Sequence, residues 1–208
     1  MTDIVAAAAW PNNAALIADC HRLGYLRDEW LTLDPTYGKG AWWKEYRPPR
    51  LVIHDKRIDG VDFRSLPEPD GHFDAIAFDP PYVSVGGRTT TSIPAFHDAY
   101  GLSEAPRTPS GVQELINEGL TEMYRVLRPQ GFCLAKCQDY VSSGKLWIGT
   151  HYTLAHALEL GFRLFDRFEH IAGIRPQPKR TRNGLPSPQI HARRNLSTLF
   201  VLQKPRKS

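Results

Sequence analysis

The run Phe73-Asp74-Ala75-Ile76-Ala77-Phe78 leads directly into Asp79-Pro80-Pro81-Tyr82. Two consecutive prolines donate no ladder hydrogen bond and fix their own backbone angles, so a strand entering them has to stop. The apolar residues ahead of them sit on nearly consecutive positions, as in a strand covered on both faces. A buried strand with a fixed end presents Asp79 and the Pro80 carbonyl rigidly at its carboxyl edge. In an open α/β sheet that edge is where ligands bind.

Other short apolar runs predict strands at Trp30 to Leu33, Leu51 to Ile53, Phe132 to Ala135, Phe162 to Phe168 and Leu199 to Leu202. Between Gly111 and Leu127, Val112, Leu115, Ile116, Leu120, Met123, Val126 and Leu127 fall at helical spacing, and Pro129 to Gly131 closes the pattern. Shorter helices are predicted at Asn13 to Leu23, Ala41 to Tyr46 and His151 to Leu160, the last closed by Gly161. Strands alternating with helices predict an α/β sheet of mostly parallel strands. A chain of 208 residues, 41% apolar and 23% charged, suits one compact domain spanning 1-208.

No apolar run is long enough to span a membrane, and Ile4 to Trp10 lacks the basic flank and the length of a signal sequence. Cys20, Cys133 and Cys137 are too few and too oddly numbered for a disulfide framework, so a reducing, cytoplasmic setting is expected. Cys133 and Cys137 lie roughly 13 Å apart along a strand at about 3.3 Å per residue, too far to share a metal, and the eight histidines show no zinc spacing. No metal is expected.

Two segments carry no regular pattern. Residues 83-110 are rich in Thr, Ser, Pro and Gly, and read as either a functional lid or a disordered loop. Residues 172-196 hold Arg175, Lys179, Arg180, Arg182, Arg193 and Arg194, four prolines and no acid. From Arg163 onward there are eleven Lys or Arg against two acids, while the residues before it carry 15 against 20. These basic residues, with Arg88 in the first segment, either track phosphates or form a solvated loop.

Upstream, the strand at Trp30 to Leu33 runs into Asp34-Pro35-Thr36-Tyr37-Gly38-Lys39-Gly40. Glycines there let a ligand approach the backbone, and the third glycine of a dinucleotide fingerprint is missing, which disfavours hydride transfer with a nicotinamide. Asp55 ends the next strand, Asp62-Phe63-Arg64 follows, and Trp42-Trp43 reads as core or pocket wall. Lys136, Gln138 and Asp139 leave a strand close to Asp79 and are candidates for lining a pocket.

Taken together, Asp79-Pro80-Pro81-Tyr82 and the Asp34 to Gly40 loop resemble the motifs of the amino-methyltransferases. These are class I S-adenosylmethionine-dependent enzymes that methylate exocyclic amines of nucleic-acid bases. The resemblance covers about Asn12 to Lys204 and has the cofactor loop ahead of the catalytic motif. It implies a Rossmann-like, mostly parallel seven-stranded sheet with one antiparallel strand. The helix after Gly40 is cut short by Pro48-Pro49, and only 17 residues separate Asp55 from Phe73, so the helices and the third strand would be abbreviated.

By the same resemblance Asp34, Thr36, Gly38 and Gly40 form the S-adenosylmethionine loop. Asp55 holds the ribose hydroxyls or, on the bland reading, a surface salt bridge, and Asp62 contacts the adenine of the cofactor. Asp79, Pro80, Pro81 and Tyr82 are implied as catalytic. Asp rather than Ser at the head of the tetrapeptide implies adenine in DNA as the target. An RNA base, the N4 amine of cytosine in DNA, and a silent nucleic-acid-binding module remain the alternatives. Oligomeric state is not legible.

Overall fold

A computed structural model describes residues 5, 10–82, 106, 108–171, 181–182, 185–186, 190–192 and 196–206. Strand β3 (Phe73–Phe78) lies inside a six-stranded sheet, flanked by β1 (Thr32–Asp34) and β4 (Leu127–Gln138). Outside β1 lies β2 (Leu51–Ile53); beyond β4 come β10 (Leu196–Gln203) and then β7 (Arg163–Ile171) at the other edge. β1 pairs in parallel with β2 and β3, and β3 with β4, while β10 runs antiparallel to both of its neighbours. The chain leaves β1 toward one edge and returns on its other side, so a topological switch point falls between β1 and β3. A crevice outside the carboxyl ends of those two strands is where such sheets receive ligands.

From Ala75 onward alternation along β3 builds two cores, and the irregularity between Phe73 and Ala75 puts Phe73 on the side of Ile76 and Phe78. Phe73, Ile76 and Phe78 join one cluster with Val112, Leu115, Leu120 and Met123 of helix α2 (Pro109–Val126) and with Ala157 of α3 (Gly149–Glu159). Ala75 and Ala77 face the opposite cluster, which holds Leu16, Ile17 and Cys20 of α1 (Asn13–Arg22) together with Trp10, Trp42 and Trp43. Each fully buried Leu, Ile or Met contributes roughly 1.5–3 kcal/mol. The small residues of β3 make room for the tryptophans on that side. Cys133 and Cys137 are buried in the first cluster, and burial pushes both thiols up, so they behave as small apolar side chains.

Caps and one lysine fix the helix ends. The Asn12 side chain accepts from Ala15 N–H, and Thr108 caps α2 with Pro109 in its first turn. At the other end of α2 the Lys204 ammonium, just past β10, donates to the Tyr124 carbonyl at 2.5 Å and the Leu127 carbonyl at 2.7 Å. This cation satisfies carbonyls that the helix itself cannot, at the negative end of its dipole.

Two sequence expectations need correction, and two small strand pairs went unforeseen. The main sheet has six strands among the described residues rather than seven. Residues 54–72 form turns and one isolated bridge, Asp62 to Ser65, held by Asp59 accepting from Asp55 and Val61 N–H and by Asp62 accepting from Arg64 N–H. Gly60 and Gly71 at positive φ bend the chain too often for a strand. The helix expected at Ala41 to Tyr46 is a single 3-10 turn, Ala41–Trp43, entered from Gly40 in the left-handed region and stopped before Pro48-Pro49. A hairpin the sequence did not announce, β5 (Tyr140–Ser142) with β6 (Lys145–Trp147), turns at Ser143 and Gly144, both at positive φ. A second small pair, β8 (Thr181–Arg182) with β9 (Leu185–Pro186), was likewise unforeseen. Among the described residues no helix is long and apolar enough to cross a membrane.

Gly119 shows how closely α2 approaches the sheet. A Cβ there would lie 2.5 Å from Phe78 Cζ and 2.9 Å from Phe63 Cδ2. Alanine favours a helix over glycine by about 1 kcal/mol, but overpacking a core costs about 1–3 kcal/mol. Gly119→Ala is therefore expected to destabilise the chain by about 1 kcal/mol in urea unfolding, and a variant as stable as the parent would contradict the packing described.

Candidate active site at the sheet edge

Asp34, the last residue of β1, is 5% exposed, and both of its carboxylate oxygens are engaged. Oδ2 accepts from Trp43 Nε1 at 2.7 Å; Oδ1 accepts from Thr36 N at 3.0 Å and from Thr36 Oγ1 at 3.3 Å. The Thr36 hydroxyl in turn accepts from Asp79 N–H at 2.9 Å. One hydroxyl thus ties the loop after β1 to the residue that follows β3. Burial pushes the Asp34 carboxyl up to about 7 against the pull of Trp43 and Thr36, and the neighbouring charge of Asp79 adds to the rise.

The loop closes on the next strand. Gly38 N–H donates to Asp55 Oδ2 at 2.9 Å, and Asp55 also accepts from Arg57 N and Arg57 Nε, both at 2.9 Å, and from Arg57 Nη2 at 3.0 Å. Burial acts to raise the Asp55 pKa, but these donors outweigh it and hold the carboxyl below its ordinary value. Gly38 has φ +58° with nothing nearer than 3.7 Å to the position of a Cβ, so its backbone is open to approach. Gly40, at φ +66°, is different: a Cβ would strike the Tyr37 hydroxyl at 2.6 Å, so it packs against protein. Asp62 stands apart, bound by Arg64 Nε at 3.0 Å, Arg64 Nη2 at 2.8 Å and Lys56 Nζ at 3.2 Å. The Arg64 guanidinium, aided by Lys56 and opposed by burial, keeps the Asp62 carboxyl well below the usual range.

Across the switch point, Asp79 Oδ2 accepts from Trp42 Nε1 at 3.0 Å. Its Oδ1 is shielded from water and has no hydrogen-bond partner among the described residues. Burial raises the Asp79 pKa, while the Lys136 charge and the Trp42 indole draw it down. Lys136 reaches in from the carboxyl end of β4, 3% exposed, with Nζ 2.6 Å from Asn13 Oδ1, 6.0 Å from the Trp42 ring centroid and 5.9 Å from that of Tyr82. Pro80 and Pro81 are buried; Tyr82 is half-buried and packed against the first core. A cleft of about 370 Å³ lies on the α1 side, lined by Asn12, Asn13, Ala41, Lys44, Glu45 and His170 among others.

The structure thus gathers Asp34, Thr36 and Asp79 into one hydrogen-bonded unit, joins Gly38 to Asp55, and sets Asp62 among its own partners. Arg88, Arg175, Lys179, Arg180, Arg193 and Arg194 lie outside the described residues. Arg182 falls in β8. Sequence reasoning missed Arg57 as the partner of Asp55 and Asn13 as that of Lys136. It took Trp42 and Trp43 for wall or core, although each indole N–H reaches a carboxylate of the site; two tryptophans directly after the loop were the available signal.

No family model matches the sequence, and no curated protein matches it. Solved structures do resemble the fold. A proposed methyltransferase from Bacillus halodurans is 15% identical, with 91% of this chain and 98% of that one covered, at a TM-score of 0.52. A proposed hemolysin from Streptococcus thermophilus is 11% identical over 93% of this chain and 66% of that one, at 0.51. A proposed DNA modification methylase from Thermus thermophilus, complexed with S-adenosyl-L-methionine, is 15% identical over 68% of this chain, at 0.43. The chain covers 52% of that protein, about half its length. At such identities the likeness establishes architecture alone: a mixed α/β, Rossmann-like fold, its mostly parallel sheet carrying one antiparallel strand.

Proposed function

We propose that the chain is a single catalytic domain that transfers a methyl group from S-adenosylmethionine to the exocyclic N6 amine of adenine in DNA. The observation that carries this reading is Asp79: a carboxylate at the switch point with one oxygen held by Trp42 and the other buried and unpartnered among the described residues. A buried acceptor without a donor is costly, and such groups mark sites where a ligand completes the hydrogen bonding.

The residues present fit the cofactor. The open backbone at Gly38 accommodates close approach, Asp55 carries a carboxylate at the end of β2, and the Asp34–Thr36 contacts fix the loop between them. S-Adenosylmethionine supplies an already activated methyl donor, so the chain needs only to position and to accept. The adenine amine is a poor nucleophile because its lone pair is delocalised into the ring. Asp79 Oδ1 and the Pro80 carbonyl can each accept a hydrogen bond from one amine N–H, drawing the nitrogen toward tetrahedral geometry; as the N–C bond forms and the S–C bond breaks, S-adenosylhomocysteine would leave and the surplus amine proton would pass to water. A fixed acceptor pair of this kind supplies rate by preorganisation. Tyr82 offers a face on which a base taken out of the stack can rest. The basic residues Arg88, Arg175, Lys179, Arg180, Arg182, Arg193 and Arg194 are proposed to meet the phosphates.

Three outcomes test this reading. Gly38→Val places a β-branched side chain at a positive φ in the open stretch of the loop, and should weaken S-adenosylmethionine binding at least tenfold by calorimetry, with circular dichroism unchanged. Neutralising Lys179, Arg180 and Arg182 together should lower DNA affinity across all sequences and flatten its salt dependence, leaving cofactor affinity in place; an unchanged salt slope would return the segment to a solvated loop. Asp79→Ala should cost about 3 kcal/mol of transition-state stabilisation, a loss of roughly a hundredfold in single-turnover transfer, while the cofactor still binds. The assay uses labelled cofactor with DNA and RNA, followed by nucleoside analysis. Label in N6-methyladenine of DNA supports the reading, whereas label in RNA or in N4-methylcytosine overturns its substrate half.

A further inference from the structure

We infer that Trp42 and Lys136 are the positioning residues of Asp79. The Trp42 indole ties down Oδ2, the Lys136 ammonium balances the carboxylate charge from the β4 side, and Oδ1 remains as the single oxygen aimed at an incoming amine. The inference rests on the function proposed above for Asp79, and extends it to two residues from other elements.

Three parts of the chain converge here: the 3-10 turn after the loop brings Trp42, β4 brings Lys136, and β3 leads directly into Asp79. An indole N–H is a donor with no acceptor capacity, so at 3.0 Å it satisfies Oδ2 without competing for the protons of a target amine. A carboxylate held at one oxygen cannot turn freely, so the other oxygen keeps its aim. Keeping that aim is the kind of orientation that raises the rate of transfer without tightening binding.

Lys136 has a matching logic. Lysine is rarely buried to 3% exposure without a balancing charge. Burial lowers the Lys136 pKa; its hydrogen bond goes to a neutral amide, Asn13 Oδ1, and the negative charge of Asp79 works against that fall. The ammonium lies about equally far from the rings of Trp42 and Tyr82, 6.0 and 5.9 Å from their centroids, so it stands beside both walls of the site. Among the described residues, the groups that bear on the ionisation of Asp79 are few. Burial opposes the charged form, while Lys136 on β4 and the Trp42 indole favour it; the Asp79 charge in turn raises the Asp34 carboxyl at the end of β1. His170 on β7 feels the Lys136 charge and, with burial acting first, is held toward its neutral form, so it adds no second cation.

The test follows the Asp79 carboxyl carbon by NMR against pH in the full chain, alongside the Trp42 indole N–H signal, identified by its loss in Trp42→Phe. The indole signal should titrate with the same midpoint as the carboxyl and stop titrating in Asp79→Asn. That midpoint should rise by about one pH unit in Lys136→Met and also in Trp42→Phe, and stay near the parent value in Lys136→Arg. Methyl transfer by Trp42→Phe should lose at least tenfold in kcat, with KM for DNA and cofactor affinity within about twofold. The acid limb of kcat should move upward in Lys136→Met. A midpoint that is the same in the parent, Trp42→Phe and Lys136→Met, or an indole signal indifferent to Asp79, overturns the inference. A parent chain that binds cofactor but methylates no nucleic acid overturns the function proposed for Asp79, and the NMR arm still decides whether Trp42 and Lys136 hold it.

Discussion

A carboxylate taken out of water at the end of β1 is the point from which the site is hung. Asp34 gathers the Trp43 indole and both donors of Thr36, and the Thr36 hydroxyl passes the connection on to the backbone of Asp79. Because a buried acid is expensive unless its oxygens are satisfied, each of these donors is held tightly in place. The loop that follows β1 and the segment that follows β3 are therefore joined through one side chain. Two stretches more than 40 residues apart in sequence form one connected floor.

The two halves of that floor differ in how much protein already fills them. On the β2 side Asp55 and Asp62 are each clasped by an arginine two residues further along, so any ligand hydroxyl or amine reaching them shares a carboxylate with a guanidinium. Such clasps hold the acids ionised and correctly turned, at the cost of some acceptor capacity. On the β3 side the balance is reversed: Asp79 keeps an oxygen in reserve, and its stabilising cation is buried beside two aromatic rings. A low-dielectric surrounding of this sort strengthens every remaining interaction of the carboxylate.

Much of the architecture was legible in the sequence. Phe73 to Phe78 was readable because a strand buried on both faces cannot hide its apolar run, and Pro80-Pro81 fixed where it ends. Leu51 to Ile53 and the helix ending near Leu127 were equally plain, the second because seven apolar residues keep one face. The missing strand between Asp55 and Phe73 was foreshadowed by the shortness of the segment, but not by any positive signal for turns held by Asp59 and Asp62. The β5–β6 hairpin escaped because its two strands of three residues are too short to show alternation. Within the site, Asp79 and Gly38 stood out through motif spacing, whereas the roles of Trp42, Trp43, Asn13 and Arg57 depend on contacts across other elements. A hydrogen bond from an indole to a carboxylate 37 residues away leaves no local pattern to read.

The place of β10 in the sheet bears on how the chain comes to be folded as it is made. This strand follows every other described strand in sequence, yet it sits between β4 and β7 and pairs with both along most of its length. Until it has emerged from the ribosome, β4 has an open side and β7 has no partner in the main sheet. Lys204, which seals the carboxyl end of α2, arrives later still. A nascent chain can assemble the β2-β1-β3-β4 half, including the loop and the Asp79 turn, while its other half waits with a hydrophobic strand edge exposed. Synthesis thus leaves a window in which the half bearing the proposed chemistry is built and the remainder needs shielding from aggregation.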